Sequence, residues 1–394
     1  MMFYVFNTII NKFFDKKVEN DLLITNDKDL MWVEYMNYIG KIVSHIKWGK
    51  GTIVNQNDDK IHVQFVNLDE EKVFKVPDCF KQFLHILDDK IRLLSVLENH
   101  GFEGFHHYTD FKNFLKIFEH KKLYSRAEAE SKKVLINDAA QKTIIDKTPQ
   151  SIKDKVRFYY MENTPTLCRN MGIRHVDDFA QDDYGAHMPI PVLLLFKKEL
   201  LLEKDVNVSS GGCGSFLTKI TSSFEEALLY DWDEIFRREP IRNVTDAERK
   251  VIRNKRNAEF LFPKAVGLDS LKAVVFRSEA DKKHAEFILG KNNLFRVDLN
   301  KFMTQYYEKS ERNFLKDYRV VEHGENKEVE LEFYKSPMNY NHIIKQYFSD
   351  GHIEAKTIGH LCSDSYFIRF SYNERDDFDR VEYLLNNEVS AIWR

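Results

Sequence analysis

The stretch FHHYTDFKNFLKIFEHKKLYSR, residues 105–126, decides the fold class. Read as a strand, its opening places Phe105, His107 and Thr109 on one face and His106 and Tyr108 on the other. A helix then follows, with Phe111, Phe114, Leu115 and Phe118 at core spacing. Asp110 suits the positive N-terminal end of that helix, and Lys121 and Lys122 suit its C-terminal end. A strand running straight into an amphipathic helix makes this a mixed α and β region. A histidine and a threonine at the strand end could hold an amide-bearing ligand through hydrogen bonds. The competing reading of such a histidine is a satisfied structural one.

Two further motifs lie downstream. VRFYYMENTPTLCRNMGIR, residues 156–174, reads as an aromatic strand followed by a Thr-Pro turn. Tyr159 or Tyr160 could stack on a flat ring such as nicotinamide or a nucleobase, the alternative being a buried aromatic strand. RNAEFLFP, residues 256–263, places Glu259 at the start of an apolar strand, directly after a basic helix. A carboxylate there can stabilise a cationic sugar or take a proton from an incoming nucleophile. Between these motifs, VLLLF at 192–196 is apolar on both faces and is expected to be a central strand. Ser223 with Glu226, and Thr245 with Glu248, read as capping boxes. The polar segment 127–155 reads as a mobile, partly helical insertion.

Upstream, residues 38–80 alternate like short strands, with Ile42, Ile53, Val63, Phe65, Val73 and Val76 as inward positions. Five short strands in so short a stretch suggest a small closed or half-closed barrel resembling SH3-like or Tudor-like barrels. The apolar start, MMFYVFNTIINKFF, reads as an amphipathic helix docking on the body rather than an export signal, because no basic residue precedes it. Residues 296–394 show helix-like and strand-like pieces. The expected division is 1–95 for the helix and barrel, 96–295 for a core, and 296–394 for a C-terminal α+β extension.

Composition narrows the class. With 43% hydrophobic and 31% charged residues, this is an ordinary globular chain of 394 residues, long enough for two or three domains. Net charge is −3, yet residues 111–157 carry twelve Lys and Arg against six Asp and Glu, and residues 237–264 carry nine against four. Such runs are candidate phosphate-facing patches, their plainer reading being solvated helix faces. The four cysteines form no CxxC pair, which argues against a zinc ribbon or a disulfide framework and suits a reducing cytoplasm. His106, His107 and His187 have no carboxylates at ligand spacing, so no metal is expected. No stretch approaches the ~20 apolar residues that span a bilayer.

Taken in order, the three motifs resemble the DarT family of nucleic-acid ADP-ribosyltransferases, over roughly residues 100–290. His107-Tyr108-Thr109 with Asn113 is similar to the family's opening NAD-binding motif. Leu123-Tyr124-Ser125-Arg126 matches the stretch after its first helix, and FYYMENTPTL its aromatic strand and Pro-Arg-x-Pro turn. Arg256-Asn257-Ala258-Glu259 resembles the segment carrying its catalytic glutamate. The resemblance implies an α+β core of two small, mainly antiparallel sheets around an NAD cleft. It makes Glu259 catalytic and gives NAD+, as co-substrate, the residues His107, Thr109, Asn113 and Tyr159 or Tyr160. It further implies a toxin acting on a base of single-stranded DNA or RNA, with an antitoxin or chaperone as partner. The basic helix, through Arg249, Lys250, Arg253 and Arg256, would contact the strand's backbone. One departure stands out: the family's turn arginine falls at Asn163, and Glu162 stands where proline is usual. Arg157, Arg169 or Arg174 could supply the missing positive charge. The rival readings are a protein acceptor and a catalytically inactive nucleic-acid-binding module.

Overall fold

The computed structural model describes residues 38–76, 78–140, 142–173, 187–302, 315–323, 326–334, 339–362, 367–373 and 377–394. The expected N-terminal helix and Arg174 lie outside them. The chain divides into two compact units: one of Met1–Phe102, Glu199–Val208 and Thr221–Trp232, the other of Glu103–Lys198, Ser209–Ile220 and Asp233–Arg394. None of the described helices is long and apolar enough to cross a membrane.

The first unit holds a five-stranded antiparallel sheet in the order Lys72–Lys75, Lys60–Phe65, Gly49–Asn57, Ile42–His45, Leu84–Ile86. Asp58, at φ 49°, makes the tight turn between Asn57 and Lys60. Gly51 is required by close approach, since an added Cβ would meet Gln64 O and the Val63 and Phe65 side chains at 2.8 Å. Ile42, Ile53, Val63, Phe65 and Val76 are buried as expected. Val73 is not: it is 53% exposed, and Phe74 faces inward in its place. Positions 73 and 76 differ by an odd number, so one strand cannot turn both to the same side. Asp88 fastens the sheet to the helix Asp88–Asn99, pairing with Lys41 at 2.9 Å and accepting from Ile42 N at 3.1 Å.

In the second unit six neighbouring strands of an eight-stranded sheet run Glu259–Phe262, Val156–Tyr159, Phe105–Asp110, Pro191–Phe196, Leu271–Phe276, Phe295–Val297. All of these neighbours are antiparallel except the last pair. Pro191–Phe196 is buried at every position and has neighbours on both sides, the central place its unbroken apolar run predicts. The phenylalanines of the chain find their use here. Phe105 stacks on Phe260 at 4.1 Å, and Phe158 meets Phe196 edge-on at 5.2 Å. A two-stranded sheet, Lys122–Leu123 with Val266–Gly267, lies within the same unit. The α+β class with mainly antiparallel pairing therefore holds, with most core strands gathered into one long sheet.

The helix Phe111–His120 begins where expected, with the Asp110 carboxylate accepting from Lys112 N at 3.0 Å. Thr245 and Glu248 form a complete capping box on the helix Asp246–Lys255. Ser223 caps Phe224–Leu228 by accepting from Glu226 N. The insertion after residue 126 is partly helical, with Arg126–Ser131, Lys142–Lys147 and Gln150–Lys153. From Leu315 onward every described element is a strand, in one three-stranded and one four-stranded sheet. Val329, Leu331, Phe333, Tyr383 and Trp393 are among the residues of their shared core.

A buried histidine makes part of this fold pH-sensitive. His284, 5% exposed, stacks on Phe111 at 4.3 Å, and burial pushes its pKa down to about 3. The unfolded chain takes up this proton below about 6.5 while the folded chain refuses it. The stability conferred by the neutral ring is thus complete above 6.5 and lost progressively as pH falls towards 3. Thermal midpoints measured from pH 7 to 4 are expected to fall, and to fall less steeply in His284→Phe. Equal slopes would show that His284 does not carry the effect.

Candidate active site

The second unit contains a cavity of about 1090 Å³ built around the ends of three adjacent strands. His107, Tyr108, Thr109 and Asp110 come from the first strand, Arg157 and Tyr159 from the next, and Glu259 from the third. The register explains the convergence. Glu259 is the cross-strand partner of Tyr159, and Arg157, two residues from Tyr159, projects on the same face. Tyr160 goes to the other face, where it is 1% exposed and packs on Phe105 at 5.9 Å. Of the two tyrosines, only Tyr159 lines the cavity.

Glu259 is 2% exposed and held from three directions. Arg157 grips it in a two-pronged pair, Nε donating to Oε2 and Nη2 donating to Oε1 at 2.7 Å. Cys213 N donates to Oε1 at 3.0 Å. The backbone is fixed as well, Glu259 N donating to Ser209 Oγ at 2.8 Å. A carboxylate oxygen accepts about two hydrogens. Oε1 is therefore filled, whereas Oε2 keeps one acceptor position. The loop Ser209–Gly214 can reach the glutamate because it is nearly all small residues. A Cβ added at Gly211 would lie 2.4 Å from Asn254 Nδ2, so this loop packs backbone to side chain against the end of the basic helix.

His107 approaches the Arg157 carbonyl, Nδ1 to O at 3.0 Å. With Nδ1 donating, Nε2 is left as an acceptor. Burial lowers the pKa of His107, opposed by this hydrogen bond and reinforced by the Arg157 charge, so the ring is neutral. Tyr159 has its hydroxyl pKa raised by burial, with Glu259 adding to the effect and Arg157 opposing it. Thr109 is 6% exposed and lines the cavity beside them.

Asn113 also lines the cavity, but its amide is spent on the chain itself. Oδ1 accepts from Ile136 N at 2.8 Å and Asn137 N at 3.0 Å, and Nδ2 donates to Asn137 O at 2.6 Å. Asn137 Nδ2 in turn donates to His187 O at 3.1 Å, and Asn170 Nδ2 to Ala139 O at 2.9 Å. Three asparagines thus tie the segment 136–139 down as a wall of the cavity.

Asn163 sits at φ 59°, a left-handed position an asparagine tolerates. Its Nδ2 donates to Asn300 O at 2.8 Å. Of the three cations considered for this region, Arg157 and Arg169 line the cavity. On the basic helix only Arg253 does so; Arg256, beyond its end, lines the cavity but is bound to Glu234 at 2.9 Å and Glu239 O at 2.6 Å. Lys250 lies over the Phe216 ring at 6.0 Å, and Arg249 reaches Ile241 O at 3.4 Å.

The family model of DarT, described as ssDNA thymidine ADP-ribosyltransferase, matches residues 106–307, just over half of the chain. The chain belongs to the DarT family. It is accordingly an NAD+-dependent ADP-ribosyltransferase, and the matched span contains the whole lining of the cavity. No curated protein matches the chain. Among solved structures it is similar to Thermus sp. 2.9 DarT in complex with ADP-ribosylated ssDNA, at 16% identity and TM-score 0.40, covering 50% of this chain and 95% of that one. The same Thermus protein in complex with NAD+ gives 17% identity and TM-score 0.37, covering 50% and 96%. Thermosipho africanus DarTG in complex with ADP-ribose gives 15% and 0.40, covering 55% of this chain and 52% of that one.

Sequence reasoning found the DarT-family motifs but missed several parts of the site. The Arg157–Glu259 pair joins residues 102 apart, and only the strand register reveals it. Arg238 and the Ser209–Gly214 loop also line or support the cavity. The run of small residues in SSGGCGS was the one available signal for the latter.

Proposed function

We propose that this enzyme transfers ADP-ribose from NAD+ to a base of single-stranded nucleic acid, with Glu259 as the catalytic residue. The observation that carries the assignment is a buried carboxylate at a cavity wall, oriented by a guanidinium and a backbone N–H, with one acceptor position left on Oε2. In the reaction the bond between ribose C1′ and the nicotinamide nitrogen breaks, and its electron pair leaves with nicotinamide. An oxocarbenium-like sugar results, which a nearby carboxylate stabilises. The acceptor base then bonds to C1′ and gives up a proton, for which Oε2 is the available acceptor. In this reading His107 Nε2 and Thr109 hold the carboxamide, and Tyr159 offers the stacking face. Arg157 serves as the positive group beside Glu259, in the absence of an arginine at position 163. Asn113 acts indirectly, by holding the wall.

The DarT-family description names thymidine of single-stranded DNA, which makes DNA the first acceptor to test, ahead of RNA or a protein side chain. Modification of cellular DNA would make the chain a toxin, working in a reducing cytoplasm and calling for a neutralising antitoxin. The test is nicotinamide release from NAD+ in the presence of single-stranded DNA, single-stranded RNA, duplex DNA or unfolded protein. Stimulation by a single strand is expected. Stimulation by protein alone would move the acceptor to a side chain.

Phe216 supports a nucleic-acid acceptor. It is 88% exposed, follows the cavity-lining Ser215 and lies against Lys250. An exposed ring beside a lysine suits a base stacked on the ring with its phosphate near the amine. Phe216→Ala is expected to weaken oligonucleotide binding by about 1–3 kcal/mol, the usual worth of one stacked base. The Km for NAD+ is expected to stay unchanged. An unaltered oligonucleotide Kd would remove Phe216 from the acceptor path.

A further inference from the structure

Three residues, Arg256, Asn257 and Ala258, join the helix Asp246–Lys255 to the strand that opens with Glu259. Asn257 lines the cavity, and its amide has a fixed orientation. Oδ1 accepts from Thr166 N at 3.2 Å and from Thr166 Oγ1 at 3.0 Å. A backbone N–H can only donate, so the oxygen is the amide atom that faces Thr166. Nδ2 donates to Arg253 O at 2.9 Å. Thr166 lies in the first turn of the helix Pro165–Asn170, and Arg253 in the last turn of Asp246–Lys255. Asn257 thus serves one backbone group at each of two helix ends, where intrahelical partners run out. Both acceptor positions of Oδ1 are filled from a residue 91 positions upstream.

This link bears on the site from two sides. On the near side, Asn257 backs the loop that holds Glu259. A Cβ added at Gly212 would lie 3.2 Å from Asn257 Cβ, and Gly212 N donates to Asn254 O at 3.0 Å. Gly212 precedes Cys213, whose N–H donates to Glu259 Oε1 at 3.0 Å. Thr218 Oγ1 closes the loop by donating to Gly212 O at 2.7 Å. On the far side, Thr166 stands just past the turn that ends the Tyr159 strand. Burial and Glu259 raise the pKa of the Tyr159 hydroxyl, and Arg157 and hydrogen bonding with Thr166 work against them. The ladder between the two strands stops at the Glu259–Tyr159 pair. Beyond it the Asn257–Thr166 link ties the two chains together again. A ladder end is where local opening starts, so a tie at this point restrains the catalytic end of the pair.

We propose that Asn257 and Thr166 are a positioning pair for the transfer reaction, fixing Glu259 and the loop that holds it against the turn that follows Tyr159. The inference rests on the transferase reading above. The pair acts through Glu259 and Tyr159 and takes no part in bond making. Transfer needs the sugar, the proton acceptor and the incoming base in one arrangement, and a misplacement of about 1 Å can cost ~10² in rate. A link that only capped two helix ends would matter to stability alone, and the two roles are separable by kinetics.

The experiment measures initial rates of nicotinamide release from NAD+ by the full chain, with an oligothymidylate and with no acceptor. Wild type, Asn257→Ala, Thr166→Val, Thr166→Ser and the Asn257→Ala, Thr166→Val double variant are compared, with thermal midpoints as the folding control. Thr166→Val keeps the backbone N–H and the shape and removes only the hydroxyl. Asn257→Ala is expected to lower kcat about 10-fold or more. The KM for NAD+ is expected to stay within about twofold, because the pair serves the transition state rather than binding. Thr166→Val lowers kcat by a smaller factor, and Thr166→Ser restores it. The double variant falls no further than Asn257→Ala, since both changes break one link. A lowered midpoint with wild-type kcat in folded Asn257→Ala would make the pair structural only and overturn the proposal. Should Asn257→Ala not fold, the threonine variants decide: wild-type kcat in Thr166→Val overturns the proposal, and a loss restored by Thr166→Ser supports it. A wild type that releases no nicotinamide under either condition would overturn the transferase reading, and the role of the pair with it.

Discussion

Glu259→Gln is expected to lower ADP-ribosyl transfer on the order of 10³-fold while the protein stays folded. The substitution preserves shape but removes the charge that faces the developing sugar cation, and it removes the proton acceptor as well. Loss of a positioned electrostatic group costs ~10²–10³ in rate, and loss of a general base ~10²–10⁴. The two effects act through one carboxylate and do not simply multiply. Folding should survive because Gln still accepts from Cys213 N, and Arg157, 34% exposed, can turn to water. Initial rates of nicotinamide release and a thermal midpoint read both parts. Wild-type rates in a folded variant would remove Glu259 from the chemistry.

The second large effect is expected at Arg157, and here stability and activity move together. Arg157→Ala leaves Glu259 buried with only a backbone N–H as donor. Removing one partner of a buried pair typically costs ~3–5 kcal/mol. The exposed side of Arg157 places this case at the lower end, about 3 kcal/mol. Transfer is expected to fall at least 100-fold, because the carboxylate loses the fork that orients it. Arg157→Lys should recover part of the stability but little of the rate, since an ammonium cannot span both oxygens. Denaturant midpoints and initial rates distinguish these outcomes. An alanine variant as stable and as active as wild type would mean that the pair neither holds nor tunes Glu259.

Much of the site was legible in the sequence because its parts sit on short, regular elements. Alternation on the strand 105–110 and the position of Glu259 at a strand start follow from a period of two. Alternation did not choose between Tyr159 and Tyr160, because both faces of that strand meet apolar or aromatic neighbours. The choice came from pairing: Glu259 opposite Tyr159 fixes which face looks into the cavity. The same limit hid the Arg157–Glu259 and Glu162–Arg238 pairs, each made by residues far apart in sequence. Asn113 shows the opposite error of emphasis. Its place in the motif suggests a ligand contact, whereas its amide hydrogen-bonds to the segment 136–137.

The ends of the chain teach a different lesson. In the first unit, Val73 reads as inward, yet its parity with Val76 forbids it, and Phe74 fills the core position. In the C-terminal region, Val329, Leu331 and Phe333 alternate cleanly and are buried. The charged residues between them, Glu330 and Glu332, blur that signal when hydrophobicity is averaged over a window. A one-sided sheet is read by parity, not by mean hydropathy.

The central claim is that ADP-ribose passes from NAD+ to a base of single-stranded nucleic acid, with Glu259 carrying the reaction. Its most direct test is the intact mass of short single-stranded DNA and RNA oligonucleotides after incubation with the full chain and NAD+, with Glu259→Gln alongside. The expected result is a mass gain of one ADP-ribose on an oligonucleotide with wild type and none with the variant, fragmentation placing the group on a base. NAD+ consumed while every oligonucleotide keeps its original mass would contradict the claim.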